Sequence, residues 1–253
     1  MKKRKIKVSS SFLIFYKIYI IIYIKNERKE LTDMMNCERK ELLGIITELV
    51  SRGFVDYIRE QQAKEDDWTR DSYLSNWMYQ NHIEEELNVN YACGESKGVI
   101  IPEYASWVIK FTIPTERRDM CYREYENYVL AEELGLSYYF AKMEFLTAIG
   151  GIAFYAQEMV DCDECVDHSM SEKLARYYES IGQEPGEGEE WDLLDEVENM
   201  SNVERIDLLY GNAELCQFIT DRHINDLHCG NFGLAGDHYV IIDYSGYGNF
   251  AWE

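Results

Sequence analysis

Near the end of the chain, Asp226-Leu227-His228-Cys229-Gly230-Asn231 is followed by Asp243, within Val240-Ile241-Ile242-Asp243-Tyr244-Ser245-Gly246. Two acids and an amide, spaced around a short hairpin, suit the gripping of Mg²⁺ and a nucleotide phosphate. Asn231 and Asp243 offer hard oxygens, which fit a cation that keeps several waters and takes few protein ligands. Asp226, five residues before Asn231, is spaced to accept or orient a proton from an attacking hydroxyl. The chemistry these types suit is phosphoryl transfer.

A further polar group stands out upstream. Lys110 interrupts the apolar run Trp107-Val108-Ile109-Lys110-Phe111. An ammonium among core-type residues needs a partner, because an unpaired buried charge is expensive. The plainer alternative is a strand-edge lysine whose amine reaches water.

The elements that must position these groups are legible in outline. Apolar residues recur at helical spacing from Glu38 to about Glu65, with Gly53 as an interruption, and a second helical stretch covers Asp71 to Leu87. A period of two then takes over. Val89 to Ala92 forms one strand, Gly94 to Gly98 a turn, Val99 to Ile101 a returning strand and Trp107 to Phe111 a third. Glu116 to Leu134 reads as a helix closed by Gly135. Phe140 to Phe145 and Ile152 to Val160 read as two more strands. From Asp161 to Asn202 the chain is acidic and turn-rich, with short helices either side of a loop at 183–188. One longer helix from Val203 to Asp221 leads into the Asp226 loop.

The loop and the later Asp243 resemble the catalytic loop and metal-binding Asp of the protein-kinase-like superfamily. The likeness is greatest to its small-molecule branch, the aminoglycoside-phosphotransferase-like and other bacterial or phage kinases, where the loop runs Asp-Leu-His-x-Gly-Asn. Three strands, a helix and two strands is the order of that family's N-lobe. The resemblance implies an α+β, two-lobed protein-kinase-like fold with a shortened C-lobe and an N-terminal helical extension. Its segments are a basic and apolar extension at 1–34, helices at 35–88, an N-lobe at 89–160 and a C-lobe at 161–253.

The same resemblance implies ATP and Mg²⁺ as cofactors and assigns roles. Lys110 would touch the α- and β-phosphates and pair with a helix Glu, Asn231 and Asp243 would hold Mg²⁺, and Asp226 would orient the acceptor hydroxyl. Glu124 and Glu126 are both on offer to Lys110, and being two apart they cannot share a helix face. Arg123-Glu124 with Tyr128 is similar to the family's pattern and favours Glu124, with Glu126 left open. Gly94 and Gly98 flank a turn whose backbone N–H groups could lie over phosphates, although a plain hairpin turn explains two glycines equally well. Gln157-Glu158-Met159-Val160 takes the place of the adenine-binding hinge, with backbone contacts expected at Glu158 and Val160.

There are departures from the family pattern. Ile224-Asn225 stands where most kinases have His-Arg, which argues against control by activation-loop phosphorylation. Asp243-Tyr244-Ser245 lacks a glycine directly after the aromatic residue, and ten residues follow Asp243. The resemblance therefore runs from Val89 to Gly246 and misses the half that ordinarily forms the acceptor site. Two functions are expected to compete: an ATP/Mg-dependent phosphotransferase with a protein or small-molecule acceptor, and a catalytically inactive nucleotide-binding module with a regulatory or scaffold role. A third is an acidic adaptor whose N-terminal helices bind a partner.

Composition narrows the partners. The chain has 253 residues, 46% hydrophobic content and a net charge of −22. With nine Lys/Arg against three Asp/Glu, residues 1–33 carry +6, which leaves −28 on the rest. So acidic a body repels nucleic acid. Seven scattered cysteines include one Cys-x-x-Cys pair, Cys162 and Cys165, near His168 but without a second pair to complete a zinc site. Scattered thiols of this kind fit a reducing cytoplasm. The apolar run from Phe12 to Ile24, broken by Lys17, is thirteen residues, short of the ~20 a spanning helix needs. Met34 and Met35 precede ordinary soluble sequence, so residues 1–33 read as an over-extended start, with a membrane-surface anchor as the functional alternative.

Overall fold

The computed structural model describes residues 37–62, 70–93, 97–112, 119–162, 166–182 and 190–245. Residues 1–33, Gly94, Cys165, the 183–188 loop and Gly246 lie outside the described residues. The chain divides into two units, Met1–Thr47 and Glu48–Glu253. Of the first, the described part is helical, the opening of a helix over residues 37–51 (α1). Everything below concerns the second.

This unit is a mixed α+β structure built on an antiparallel sheet. Helices α2 (Phe54–Gln62), α3 (Arg70–Gln80) and α4 (Ile83–Leu87) precede three strands, β1 (Val89–Cys93), β2 (Lys97–Pro102) and β3 (Trp107–Thr112). Helix α5 (Met120–Glu133) follows, then β4 (Met143–Ile149) and β5 (Ile152–Glu158). The five strands lie in the order β1-β2-β3-β5-β4, so β3 is central and all six of its residues are buried. Lys110 is therefore no edge lysine.

Alternation along β3 assigns its two faces. Phe111 points with Phe154 toward α2, where Phe54 meets Phe111 edge-on at 5.2 Å and Trp77 of α3 at 5.0 Å. Lys110 and its cross-strand partner Tyr155 share the other face, where Tyr155 meets Tyr125 of α5 at 5.6 Å. Helix α5 starts at Asp119, whose carboxylate accepts from the Tyr122 N–H, an N-cap that satisfies a donor the helix leaves unpaired.

Beyond the sheet, α6 (Val166–Ser180) and α7 (Glu190–Asn199) pack as neighbours, followed by α8 (Asn202–Tyr210), α9 (Ala213–Asp221) and a hairpin of β6 (Phe232–Ala235) with β7 (His238–Ile241). One core joins Met170, Ile206, Phe218, Leu227 and Phe232 to Tyr155 of the sheet. The backbone also links sheet and hairpin: Asp161 and Leu234 form an antiparallel bridge, and Phe140 and Ile241 a parallel one.

Several boundaries differ from expectation. The helix expected over Val203–Asp221 is two, because Gly211 turns left-handed (φ 61) and caps α8 while the Asn212 side chain accepts from Leu215 N–H and starts α9. The stretch from Asp71 to Leu87 is likewise broken, at a left-handed His82. The strand expected from Phe140 begins at Met143, after a 3₁₀ turn over Ser137–Tyr139. Helix α6, at 15 residues, is longer than the short helix expected there. Among the described residues, no helix is long and apolar enough to cross a membrane.

Candidate functional site

The catalytic-type residues come from three places: the Lys110 face of the sheet, the inward face of α5, and the loops on either side of the hairpin. Lys110 Nζ lies 2.8 Å from Glu124 Oε2, and both residues are buried. Glu126, the open alternative, faces solvent. Lys110 also donates to the carbonyl of Ile242 at 3.2 Å, one residue before Asp243. Gln157, buried on β5, donates to the same carbonyl at 3.0 Å.

The Asp226 loop is tied to the Asp243 segment by backbone. Ile242 N–H donates to the Asn231 carbonyl at 2.9 Å. The Asn231 side chain donates through Nδ2 to the Asp226 carbonyl at 2.5 Å. With its nitrogen committed there, the oxygen is the atom of this amide suited to a cation. Asp226 keeps a third of its side chain exposed, at 32%. His228 Nδ1 accepts from Gly230 N–H, which leaves Nε2 carrying the hydrogen 3.9 Å from Asp226 Oδ1.

A second lysine, absent from the sequence reading, enters this constellation. Lys97 Nζ lies 2.8 Å from Glu124 Oε1 and 2.5 Å from Asp243 Oδ1, and donates to Ser245 Oγ at 3.1 Å. Ser245 in turn donates to Asp243 Oδ1 at 3.2 Å. The electrostatic consequences are large. Burial pushes the Glu124 carboxyl up, against the pull of Lys110 and Lys97. For Asp243 burial acts the same way, but Lys97 and Lys110 outweigh it and hold the carboxyl well below the usual range. Burial would depress the Lys97 ammonium, yet Glu124 and Asp243 hold it above its ordinary value. Asp243 and Lys97 are thus held charged by their neighbours, whereas for Glu124 burial prevails over the two lysines.

The register of the sheet explains how Lys97 arrives. Val99 pairs with Lys110, so residues two apart along β2 share the Lys110 face. Counting back two from Val99 gives Lys97. The signal was present in the alternation, but only the cross-strand register converts it into a position.

Gly98 has a packing explanation. A Cβ there would lie 2.2 Å from the Phe111 ring, so the glycine admits this ring across the β2–β3 pair. Its expected partner in phosphate contact, Gly94, lies outside the described residues. At the expected hinge, Glu158 N–H donates to the Lys142 carbonyl and Met159 N–H to the Ser106 carbonyl, both at 2.8 Å. The Val160 carbonyl accepts from Cys162 Sγ, a weak donor, at 3.6 Å.

Tyr244 anchors the Asp243 segment. It is fully buried, donates from its hydroxyl to the Ala141 carbonyl at 2.9 Å, and packs on Phe140. Among the described residues, no group of three or more His, Cys, Asp and Glu converges as a metal site. The oxygen donors present, one carboxylate and one amide, fit a hard cation that retains water and needs few protein ligands. They do not suit zinc, which takes four nitrogen or sulfur ligands in a closed site. No protein-family model, curated protein or solved structure gives a significant match to this chain.

Proposed function

We propose that the chain is an ATP- and Mg²⁺-dependent phosphotransferase with a protein-kinase-like fold. In this reading the five-stranded sheet with α5 is the N-lobe, and α6 to α9 with the hairpin form a shortened C-lobe. The observation that carries it is the buried Lys110–Glu124 pair, bonded at Ile242 to the segment that presents Asp243. A central-strand lysine in a core needs a strong reason to be there, since hydrophobic residues of similar volume usually serve stability as well or better.

The roles follow from position. Lys110, held by Glu124, would neutralise phosphate oxygens. Asn231 and Asp243 would hold Mg²⁺, which supplies charge neutralisation to the phosphates. Asp226, whose side chain is a third exposed, would accept the proton of an acceptor hydroxyl. Positioning and charge neutralisation supply most of the rate in such transfers, with little covalent work for the protein. The acceptor is a protein or a small molecule.

One observation favours the second reading, an inactive nucleotide-binding regulatory or scaffold module. Asp243 is already engaged by Lys97, an arrangement a non-catalytic fold can keep indefinitely. Transfer of label from [γ-³²P]ATP to self or to a lysate separates the two. Asp243→Asn is expected to abolish Mg-dependent nucleotide binding, whereas Asp226→Asn spares binding and removes turnover. If both variants transfer phosphate like the parent, the assignment is wrong. A thermal shift with MgATP is the first check, since a ligand at about a hundred times its Kd adds about 2.7 kcal/mol of stability.

A further inference from the structure

The phosphotransferase roles leave Lys97 unassigned, although its ammonium makes three polar contacts in the site, at 2.5, 2.8 and 3.1 Å, and its side chain is only 11% exposed. Lys97, Lys110, Glu124 and Asp243 together form a set of two cations and two anions. Counted by residue type, two amines face two carboxyls and the formal charges balance. A divalent cation brought to Asp243 would add two positive charges where desolvation makes any excess charge costly. Lys97 must then leave Asp243, or anionic oxygens must arrive to offset the sum.

The sheet decides where a released Lys97 would go. It projects from the strand next to Lys110, on the same face, and Glu124 bonds one ammonium with each carboxylate oxygen. Loss of the Asp243 contact would leave Lys97 still tethered to Glu124, beside Lys110. We propose that Lys97 is a second phosphate-binding ammonium of this site, and that without ligand it holds Asp243 in the place of the metal. The inference rests on the nucleotide-binding reading above. It adds a cation that must trade partners before metal and polyphosphate can both be bound.

The test uses the full chain and two probes, Mn²⁺ alone, followed by the paramagnetic signal of the free ion, and ADP at saturating Mn²⁺, followed by calorimetry. If Lys97 occupies Asp243 most of the time, Lys97→Met binds Mn²⁺ alone about tenfold more tightly, because the competent state no longer has to be freed. The same variant binds ADP about tenfold more weakly, having lost a charge-assisted phosphate contact. A merely structural salt bridge would weaken both. Ser245→Ala removes an anchor of Lys97 without altering charge, and serves if Lys97→Met does not fold. It should raise Mn²⁺ affinity and leave ADP affinity at saturating Mn²⁺ unchanged. A Lys97→Met chain in which both affinities move together, or either stays put, overturns the inference and leaves the nucleotide site standing. So does a Ser245→Ala chain with unaltered Mn²⁺ affinity. A parent chain that binds neither Mn²⁺ nor ADP removes the nucleotide-binding reading and the inference with it.

Discussion

The side-chain amide of Asn127 donates to the Tyr244 carbonyl at 2.7 Å, which fastens the helix carrying Glu124 to the segment carrying Asp243. The oxygen of the same amide accepts from Arg222 Nε at 2.6 Å, just before the Asp226 loop. One buried side chain therefore ties α5 to the chain on both sides of the hairpin. Asn127→Ala strands a buried carbonyl and a guanidinium, and should cost about 1–3 kcal/mol in urea unfolding. A loss below about 0.5 kcal/mol, the range of ordinary surface changes, would show that the tie carries no weight.

The Lys110–Glu124 pair makes a prediction about coupling. Each single change, Lys110→Met or Glu124→Gln, leaves an unbalanced charge in a buried set and should destabilise by about 3 kcal/mol. The double variant restores balance, so its loss should fall well short of the sum. Strict additivity in chemical denaturation would mean that the two charges do not sense each other.

Gly98 separates packing from ligand contact. Gly98→Ala drives a methyl into the Phe111 ring and should cost about 1–3 kcal/mol, as overpacking does. Adding Phe111→Leu should recover part of it. Normal stability with impaired nucleotide binding would instead assign the glycine to phosphate contact.

Cys121 gives a pH-dependent signature. It is fully buried at the start of α5, and burial, reinforced by Glu124, pushes its thiol up to about 12. A raised acid favours its neutral form in the folded state. Its contribution is complete below the unfolded value near 8.5 and is lost as pH rises from there toward about 12. At pH 8, iodoacetamide should label the exposed Cys162 and Cys229 while sparing Cys121 until denaturant is added. Prompt labelling of Cys121 in the native chain would contradict its burial.

Much of the framework was readable without coordinates because it depends on local rules. Period-two runs place β1, β2 and β3, Gly135 closes α5, and the apolar run around Lys110 raises the question of its partner, which the central place of β3 answers against an edge lysine. Nearest-neighbour signals also misled in places. The apolar stripe of Val203–Asp221 continues across Gly211, and periodicity alone does not register that a left-handed residue ends one helix and an amide starts another. Between Glu124 and Glu126 only the family resemblance favoured Glu124, and the face that α5 turns to the sheet brings Glu124 to Lys110.

By itself, then, the order of residues determined which chemical groups exist and how far apart along the chain they sit: the carboxylates, the amide, and a lysine in an apolar strand. What only the tertiary structure decided is which of them meet. Lys97 reaches Asp243 and Ser245 because the β2–β3 register and the packing of α5 bring distant segments to one face. Charge interactions act through space and grow as water is excluded, so a contact between groups so far apart in the chain leaves no mark on either residue's neighbours in sequence.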